Sequence, residues 1–171
     1  MLKLILILMV FCGMTVQAGL EVGQKAPAFS APATGSTTVS LSDYAGNWLV
    51  LYFYPKADTP GCTKQSCSLR DGAEDLSGLN AEVLGVSVDT VDAQDRFKAK
   101  YELPFELLAD AGKDVAKAYG VLGYGGRMAK RVTFIIDPTG TIVQIIKRVS
   151  VGTHADQVQQ VLGELQAKSG D

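Results

Sequence analysis

A cysteine stands where a buried strand ends and a helix begins, and this feature most constrains the fold. Residues 48–54 (Trp-Leu-Val-Leu-Tyr-Phe-Tyr) form an apolar, aromatic run typical of a buried strand, and prolines and a glycine follow it. After Cys62, apolar residues spaced three and four apart predict an amphipathic helix over residues 63–79. Cys62 therefore lies in the first helical turn, where free N–H groups and the helix dipole favour the nucleophilic thiolate.

The first 18 residues have the pattern of an export signal. A lysine near the start precedes an apolar stretch over residues 4–14, and Val16-Gln17-Ala18 predicts cleavage after Ala18. The stretch is shorter than the roughly 20 apolar residues of a membrane span, which favours a removed signal over the alternative, an uncleaved anchor. Cys12 raises the possibility of a lipoprotein, but the bulky Phe11 before it argues against lipid processing. We expect an exported, periplasmic protein with no stable membrane association after signal removal.

The remaining residues, 19–171, have the length of one ordinary domain. The chain has a formal net charge of −2 and no basic run, so nucleic acid is not an expected partner. Two cysteines, Cys62 and Cys67, follow the signal. A disulfide that closes so short a loop constrains the unfolded chain little, so we expect the pair to have a chemical role.

Strand and helix patterns alternate through the chain, which predicts an α/β fold. We take Asp92 as the cap of its helix and His154, the sole histidine, as a surface residue at a helix start. The expected elements are an N-terminal hairpin over 28–33 and 37–41, strands 48–54, 82–88 and 106–108, a hairpin over 132–137 and 141–149, and helices 63–79, 92–101, 113–119 and 154–168.

The segment Tyr54-Pro55-Lys56-Ala57-Asp58-Thr59-Pro60-Gly61-Cys62-Thr63, with Cys67 five residues after Cys62, resembles a peroxiredoxin of the bacterioferritin-comigratory-protein, or Q-type, subfamily. Residues 23–29, 85–89 and 131–137 support this resemblance, which covers residues 21–165. It implies a thioredoxin-like fold with a central mixed sheet flanked by helices. Leu69 stands where the subfamily often has an aromatic residue, and we expect only altered packing from it.

The resemblance implies a thiol-dependent peroxidase that reduces hydrogen peroxide and organic hydroperoxides without a cofactor or a metal. It assigns the attacking thiolate to Cys62, and it assigns the orientation of the peroxide to the Thr59 hydroxyl and the Cys62 amide. Pro60 shields the thiolate, and Pro55 and Gly61 complete the predicted substrate-binding residues. Splitting an O–O bond also requires a positive group that bears the developing charge.

An arginine from a distant strand supplies that positive group in the family. Arg131 stands directly before the predicted strand 132–137, as the family pattern requires, and it is our candidate. Arg127, four residues earlier in a glycine-rich loop, is the competing candidate. The glycines of that loop do not complete a dinucleotide-binding fingerprint, since Met128 stands where a third glycine would fall.

The resemblance also implies that the oxidised Cys62 is resolved by Cys67 in an intrachain disulfide, as in atypical two-cysteine enzymes. A thioredoxin-like dithiol protein would then reduce the disulfide, and a monomer suffices. Five residues along an ideal helix place two side chains about 140° apart and roughly 7.5 Å apart along the axis, beyond disulfide reach. We therefore expect the start of the helix to unwind during catalysis.

Two other function classes compete with the peroxidase. A thioredoxin-like thiol-disulfide oxidoreductase requires Cys-x-x-Cys, which this chain lacks. A copper-handling chaperone requires cysteines three or four apart and a histidine ligand, and His154 lies far along the chain. Two further residues have plainer interpretations: Thr59 as a helix cap as well as a site residue, and Arg70 as a structural partner of Asp71.

Overall fold

The computed structural model describes residues 19–169. The predicted export signal and its cleavage site after Ala18 lie outside the described residues. Within the described part of the chain, no helix is both long and apolar enough to cross a membrane.

A seven-stranded mixed sheet forms the centre of the fold. Its strands lie in the order β2-β1-β5-β4-β3-β8-β9, and a separate two-stranded sheet pairs β6 with β7. β3, β4 and β5 run parallel, and the other neighbours pair antiparallel. The strands are β1 (Ser30–Ala33), β2 (Thr37–Ser40), β3 (Trp48–Phe53), β4 (Ala81–Ser87), β5 (Glu106–Ala109), β6 (Leu122–Gly123), β7 (Met128–Ala129), β8 (Val132–Ile136) and β9 (Ile142–Ile146).

Five α-helices are described together with these strands, and they confirm the mixed α/β fold. The two predicted hairpins are present as β1–β2 and β8–β9. The helices are α1 (Pro60–Asp71), α2 (Ala73–Gly78), α3 (Val91–Tyr101), α4 (Asp114–Ala118) and α5 (His154–Ser169).

Two helix predictions were wrong in detail. The expected single helix over residues 63–79 is two helices, α1 and α2, that meet at Gly72. A Cβ atom on Gly72 would lie 2.5 Å from the Cβ of Ala155, so the start of α5 packs where a larger residue would clash. The cap of α3 is Thr90, whose hydroxyl accepts a hydrogen bond from the Ala93 amide, and it is not Asp92.

The two faces of the sheet bury separate apolar clusters, and β3 contributes to both. Alternate residues of a strand point to opposite faces. Leu49, Leu51 and Phe53 join the cluster that includes residues of α4, whereas Val50 and Tyr52 join the cluster that includes residues of α1 and α5. Cys62 belongs to the second cluster. The thiol therefore lies on the face covered by α1 and α5.

Candidate active site

The end of β3 and the start of α1 place Cys62. Thr59 has an extended backbone (φ −99°, ψ 150°), and Pro60 occupies the first helical turn. Proline suits this position because its missing N–H would have no partner inside the helix, and its fixed φ is already helical. Cys62 follows two residues later, with 1% of its surface exposed. The result is a buried thiol in the first turn of a helix.

Arg131 lies against this thiol. β8 pairs antiparallel with β3, and Val132 lies opposite Phe53, so the residue that precedes β8 lies beside the end of β3. From there the Arg131 Nη2 donates a hydrogen bond to the Cys62 Sγ over 3.2 Å. A guanidinium next to sulfur stabilises the thiolate electrostatically. The predicted pairing of these two residues is thus present in the geometry.

Gln65 holds the other side of the guanidinium. The Arg131 Nη1 donates to the Gln65 Oε1, and the Gln65 side chain lies one turn of α1 beyond Cys62. Gln65 is fully buried. Gln65 was not predicted from the sequence, although Gln65 lies three residues after Cys62 and therefore on the same side of α1.

His154 is fully buried, so the expectation that it is a surface residue was wrong. Its Nδ1 lies 3.2 Å from the Gln65 Nε2, and its Nε2 lies 3.1 Å from the Thr133 Oγ1. Burial, and then the charge of Arg131, lower the pKa of His154 to about 4. One signal in the sequence could have indicated this: residues 154, 158 and 162 are spaced by four and form one stripe of α5.

The loop before α1 contains the other predicted site residues. Thr59 occupies the N-cap position of α1, but its hydroxyl makes no capping hydrogen bond and donates to the Lys56 carbonyl oxygen over 3.0 Å. A Cβ atom on Gly61 would lie 3.4 Å from the Arg131 Nη2, so glycine leaves room for the guanidinium. Pro60 is exposed and Pro55 is half-buried.

Cys67 lies further along α1, half-buried, and both Cys62 and Cys67 are free thiols. Gln65 and Ser66, which lie between them, are fully buried. The Ser66 hydroxyl lies 2.9 Å from the Tyr52 hydroxyl. Formation of a Cys62–Cys67 disulfide therefore requires a change in the first turns of α1.

Arg127 and Arg70 lie apart from the thiol. Arg127 is exposed in the loop between β6 and β7, and no described contact joins it to Cys62. Arg70 pairs with Asp71 at 2.8 Å and donates to the Tyr101 carbonyl oxygen, which is the structural role expected of it. Among the residues that the structure describes, no group of three or more His, Cys, Asp or Glu side chains could hold a metal ion.

This arrangement suits attack by sulfur on a polarised bond. The Cys62 sulfur is the candidate nucleophile, the Arg131 guanidinium places positive charge beside it, and burial strengthens the interaction between them. In a comparison with known protein families, residues 22–145 match the AhpC/TSA family. The chain belongs to this family.

Individual relatives indicate more narrowly which type of protein within this family the chain resembles. It is 45% identical over 152 residues to putative peroxiredoxin Bcp of Coxiella burnetii, which covers 85% of this chain and 99% of the relative. It is 39% identical over 155 residues to peroxiredoxin Bcp of Bacillus subtilis, covering 87% of this chain and 99% of the relative. The crystal structure of a cysteine-to-serine mutant of PrxQ from Xylella fastidiosa superposes with a TM-score of 0.79 at 35% identity, covering 89% of this chain and 99% of that one.

The chain is therefore a peroxiredoxin of the Bcp, or Q, type, a thiol-dependent peroxidase with a thioredoxin-like fold. Enzymes of this family act on peroxides and take their electrons from thioredoxin-like reductants.

Proposed function

We propose that this peroxiredoxin reduces hydrogen peroxide and organic hydroperoxides with Cys62 as the attacking thiolate. The observation that carries the proposal is the 3.2 Å hydrogen bond from the Arg131 guanidinium to the Cys62 sulfur, in a buried first helical turn. The bacterioferritin comigratory protein of Xanthomonas campestris has alkyl peroxide reduction activity. It is 34% identical to this chain and superposes on it with a TM-score of 0.74. That likeness supports an organic hydroperoxide as one substrate.

In the first step, the Cys62 thiolate attacks one peroxide oxygen and the O–O bond breaks. The sulfur becomes a sulfenic acid, and the second oxygen leaves with the bonding electrons and takes up a proton as water or an alcohol. The Arg131 guanidinium stabilises the charge that develops on the two oxygens. The Thr59 hydroxyl and the Cys62 amide orient the peroxide, while Pro55 and Pro60 border the approach and Gly61 leaves it open.

In the second step, the Cys67 thiol attacks the sulfenic sulfur, a disulfide forms, and water leaves. The first turns of α1 unwind to bring the two sulfurs together, which breaks the contact of Gln65 with Arg131 and with His154. A thioredoxin-like dithiol then reduces the disulfide by exchange and restores both thiols.

Mass spectrometry of the peroxide-treated protein tests this pathway. We expect a monomer two hydrogens lighter than the reduced protein, with Cys62 linked to Cys67 in the peptide map. Cys67→Ser is the matched control: the first step should proceed, and the sulfenic acid should accumulate and oxidise further to the sulfinic acid. A peptide map that shows only interchain bridges, or only sulfinic acid in the wild type, would contradict the proposed resolution.

We also propose that the protein is exported to the periplasm, processed after Ala18 and active as a monomer. The apolar segment over residues 4–14 and the small residues before Gly19 support the export signal, and an intrachain disulfide needs no second subunit. Expression of the full chain in a bacterium with a periplasm should yield a form that begins at Gly19. A periplasmic protein that retains Met1, or a lipidated form at Cys12, would contradict the processing site.

A further inference from the structure

A chain of buried polar contacts leads from the attacking thiol to the start of α5. Arg131 donates to both Cys62 and Gln65, Gln65 contacts the Nδ1 of His154, and the Nε2 of His154 contacts Thr133. Gln65, Thr133 and His154 are each fully buried. The proposed chemistry of Cys62 and Cys67 does not itself use His154.

The donors and acceptors of this chain admit one assignment. Because a guanidinium only donates, the Gln65 atom that faces Arg131 must be the carbonyl oxygen. The Gln65 NH₂ therefore faces His154 and donates to Nδ1, so Nδ1 is unprotonated. The ring proton then lies on Nε2 and is donated to the Thr133 hydroxyl.

We propose that His154 is a positioning residue for the peroxide reaction. Its unprotonated Nδ1 fixes the orientation of the Gln65 amide, and the Gln65 carbonyl holds the Arg131 guanidinium against the Cys62 sulfur. This inference rests on the proposed role of Cys62 as the attacking thiol.

A reversal of the Gln65 amide shows why the acceptor matters. Without a lone pair at Nδ1, the Gln65 NH₂ loses its buried partner, and the amide gains nothing by facing its oxygen toward Arg131. With the NH₂ turned toward Arg131, two donors would face each other and the guanidinium would be displaced. A displacement on the order of 1 Å at a reacting centre is enough to slow catalysis severalfold or more.

The ring state of His154 can be measured directly by NMR, because His154 is the sole histidine of the chain. We expect ¹⁵N spectra of the reduced wild-type protein at neutral pH to show a neutral ring with its proton on Nε2. A ring with its proton on Nδ1 would overturn the proposal, since Nδ1 would then donate. This measurement is independent of enzymatic activity and of every variant.

Two substitutions of His154 test the roles of its two ring nitrogens separately. The amide of asparagine reaches about as far from Cβ as Nδ1 does, whereas the amide of glutamine reaches about as far as Nε2 does. We expect His154→Gln to slow oxidation of Cys62 by peroxide about tenfold, and His154→Asn to stay within about threefold of the wild type. The readout is the second-order rate constant of the first oxidation, measured separately from disulfide formation.

Leu162→Ala is the matched control, because Leu162 is fully buried on α5 two turns from His154. It should lower thermal stability and leave the oxidation rate unchanged. Equal rates in His154→Gln and His154→Asn, or an equal loss in Leu162→Ala, would reduce His154 to a packing residue and overturn the proposal. Cys62→Ser reports separately on the proposed function: if that variant still turns over peroxide, the role of Cys62 fails whatever the ring state of His154.

Discussion

The two halves of α1 are held in different ways. In the second half, Ser66 contacts Tyr52 of β3, the Ser68 hydroxyl accepts from the Ala155 amide of α5, and Arg70 donates to the Tyr101 carbonyl oxygen of α3. In the first half, the Arg131 guanidinium donates to Cys62 and Gln65, and the Gln65 amide contacts His154 of α5.

This difference indicates where α1 opens. The second half is tied to β3, α5 and α3 separately, whereas the contacts of the first half form one chain from the Cys62 sulfur through Arg131 and Gln65 to His154. In the proposed pathway, oxidation of Cys62 replaces the thiolate with a neutral sulfenic acid, so the charge-assisted hydrogen bond from Arg131 to the sulfur is lost. Cys67 lies just inside the anchored half, so we expect Cys62 to be the partner that moves in the proposed disulfide formation. The proposed pathway then requires the first half to be held for the attack on peroxide and released for the disulfide.

The largest effect should come from Cys62→Ser, which removes the nucleophile and leaves both halves of α1 folded. We expect peroxidase turnover to fall to background, because a serine hydroxyl in this setting is far less nucleophilic than a thiolate. Circular dichroism should remain that of the wild type. Turnover that survives this substitution would mean that the reactive thiol is elsewhere.

Arg131→Met tests the side chain that joins Cys62 and Gln65 in the first half of α1. Methionine keeps much of the bulk and deletes the charge, so the reaction of Cys62 with peroxide should slow by about 10²-fold, as expected for the loss of one well-placed donor. Stopped-flow measurement of the first oxidation gives this rate. Arg127→Met is the control. If Arg127→Met reduces the rate more than Arg131→Met does, the assignment of Arg131 as the positive group beside Cys62 is contradicted.

The first half of α1 was predictable from the sequence, and the second half less so. A strand followed by Pro60, Gly61 and Cys62 specifies a thiol at a helix start through local chemistry alone. At the break, Gly72 packs against Ala155, which lies far along the chain, and no local pattern reports that contact. A single helix over residues 63–79 was the natural prediction because the apolar spacing continues across Gly72.

The residues of the candidate site also divide into those that the sequence predicted and those that it did not. Local chemistry indicated Cys62, the resemblance to a peroxiredoxin indicated Arg131, and the pairing of β8 with β3 explains why they meet. Gln65 and His154 were missed, since their partnership joins α1 to α5 and requires the tertiary structure. A histidine that begins a helix is as consistent with solvent as with a buried polar chain, and only the fold distinguishes the two.

The pH dependence of stability reports on the burial of His154, which contacts Gln65 in the first half of α1. Its pKa is lowered to about 4 in the folded protein, from 6.5. Between these values the unfolded chain binds the proton more readily, so stability is complete above about pH 6.5 and is lost as the pH falls toward 4. The charge of Arg131 acts on the imidazole, and the Tyr52 ring packs against it with the two ring planes 75° apart.

From pH 7 to pH 4.5 this linkage should lower the free energy of unfolding by about 2 kcal/mol more in the wild type than in His154→Asn. Urea denaturation of both proteins at the two pH values gives the difference, and the other titrating groups cancel because the two proteins share them. Equal losses in the two proteins would show that His154 exchanges protons freely when folded.

The smallest effect should come from Tyr52→Phe, which loosens the anchored half. The Tyr52 hydroxyl lies 2.9 Å from the Ser66 hydroxyl, and both side chains are fully buried. The substitution removes one hydrogen bond and leaves Ser66 without it, which should lower the free energy of unfolding by about 1 kcal/mol. Burial raises the pKa of Tyr52 far above the physiological range, so this loss should not vary with pH between 5 and 8.

Tyr54→Phe is the matched control for Tyr52→Phe. Tyr54 is equally buried on the same face, but its hydroxyl donates to Gln94 of α3 and not to α1. Both variants should lose similar stability and should react with peroxide at the wild-type rate. If the second half of α1 is the fixed end of the opening, Tyr52→Phe alone should change the rate of Cys62–Cys67 disulfide formation, measured by quenched-flow alkylation. The same change in both variants would mean that α1 opens as one unit, and the division between its halves would not hold.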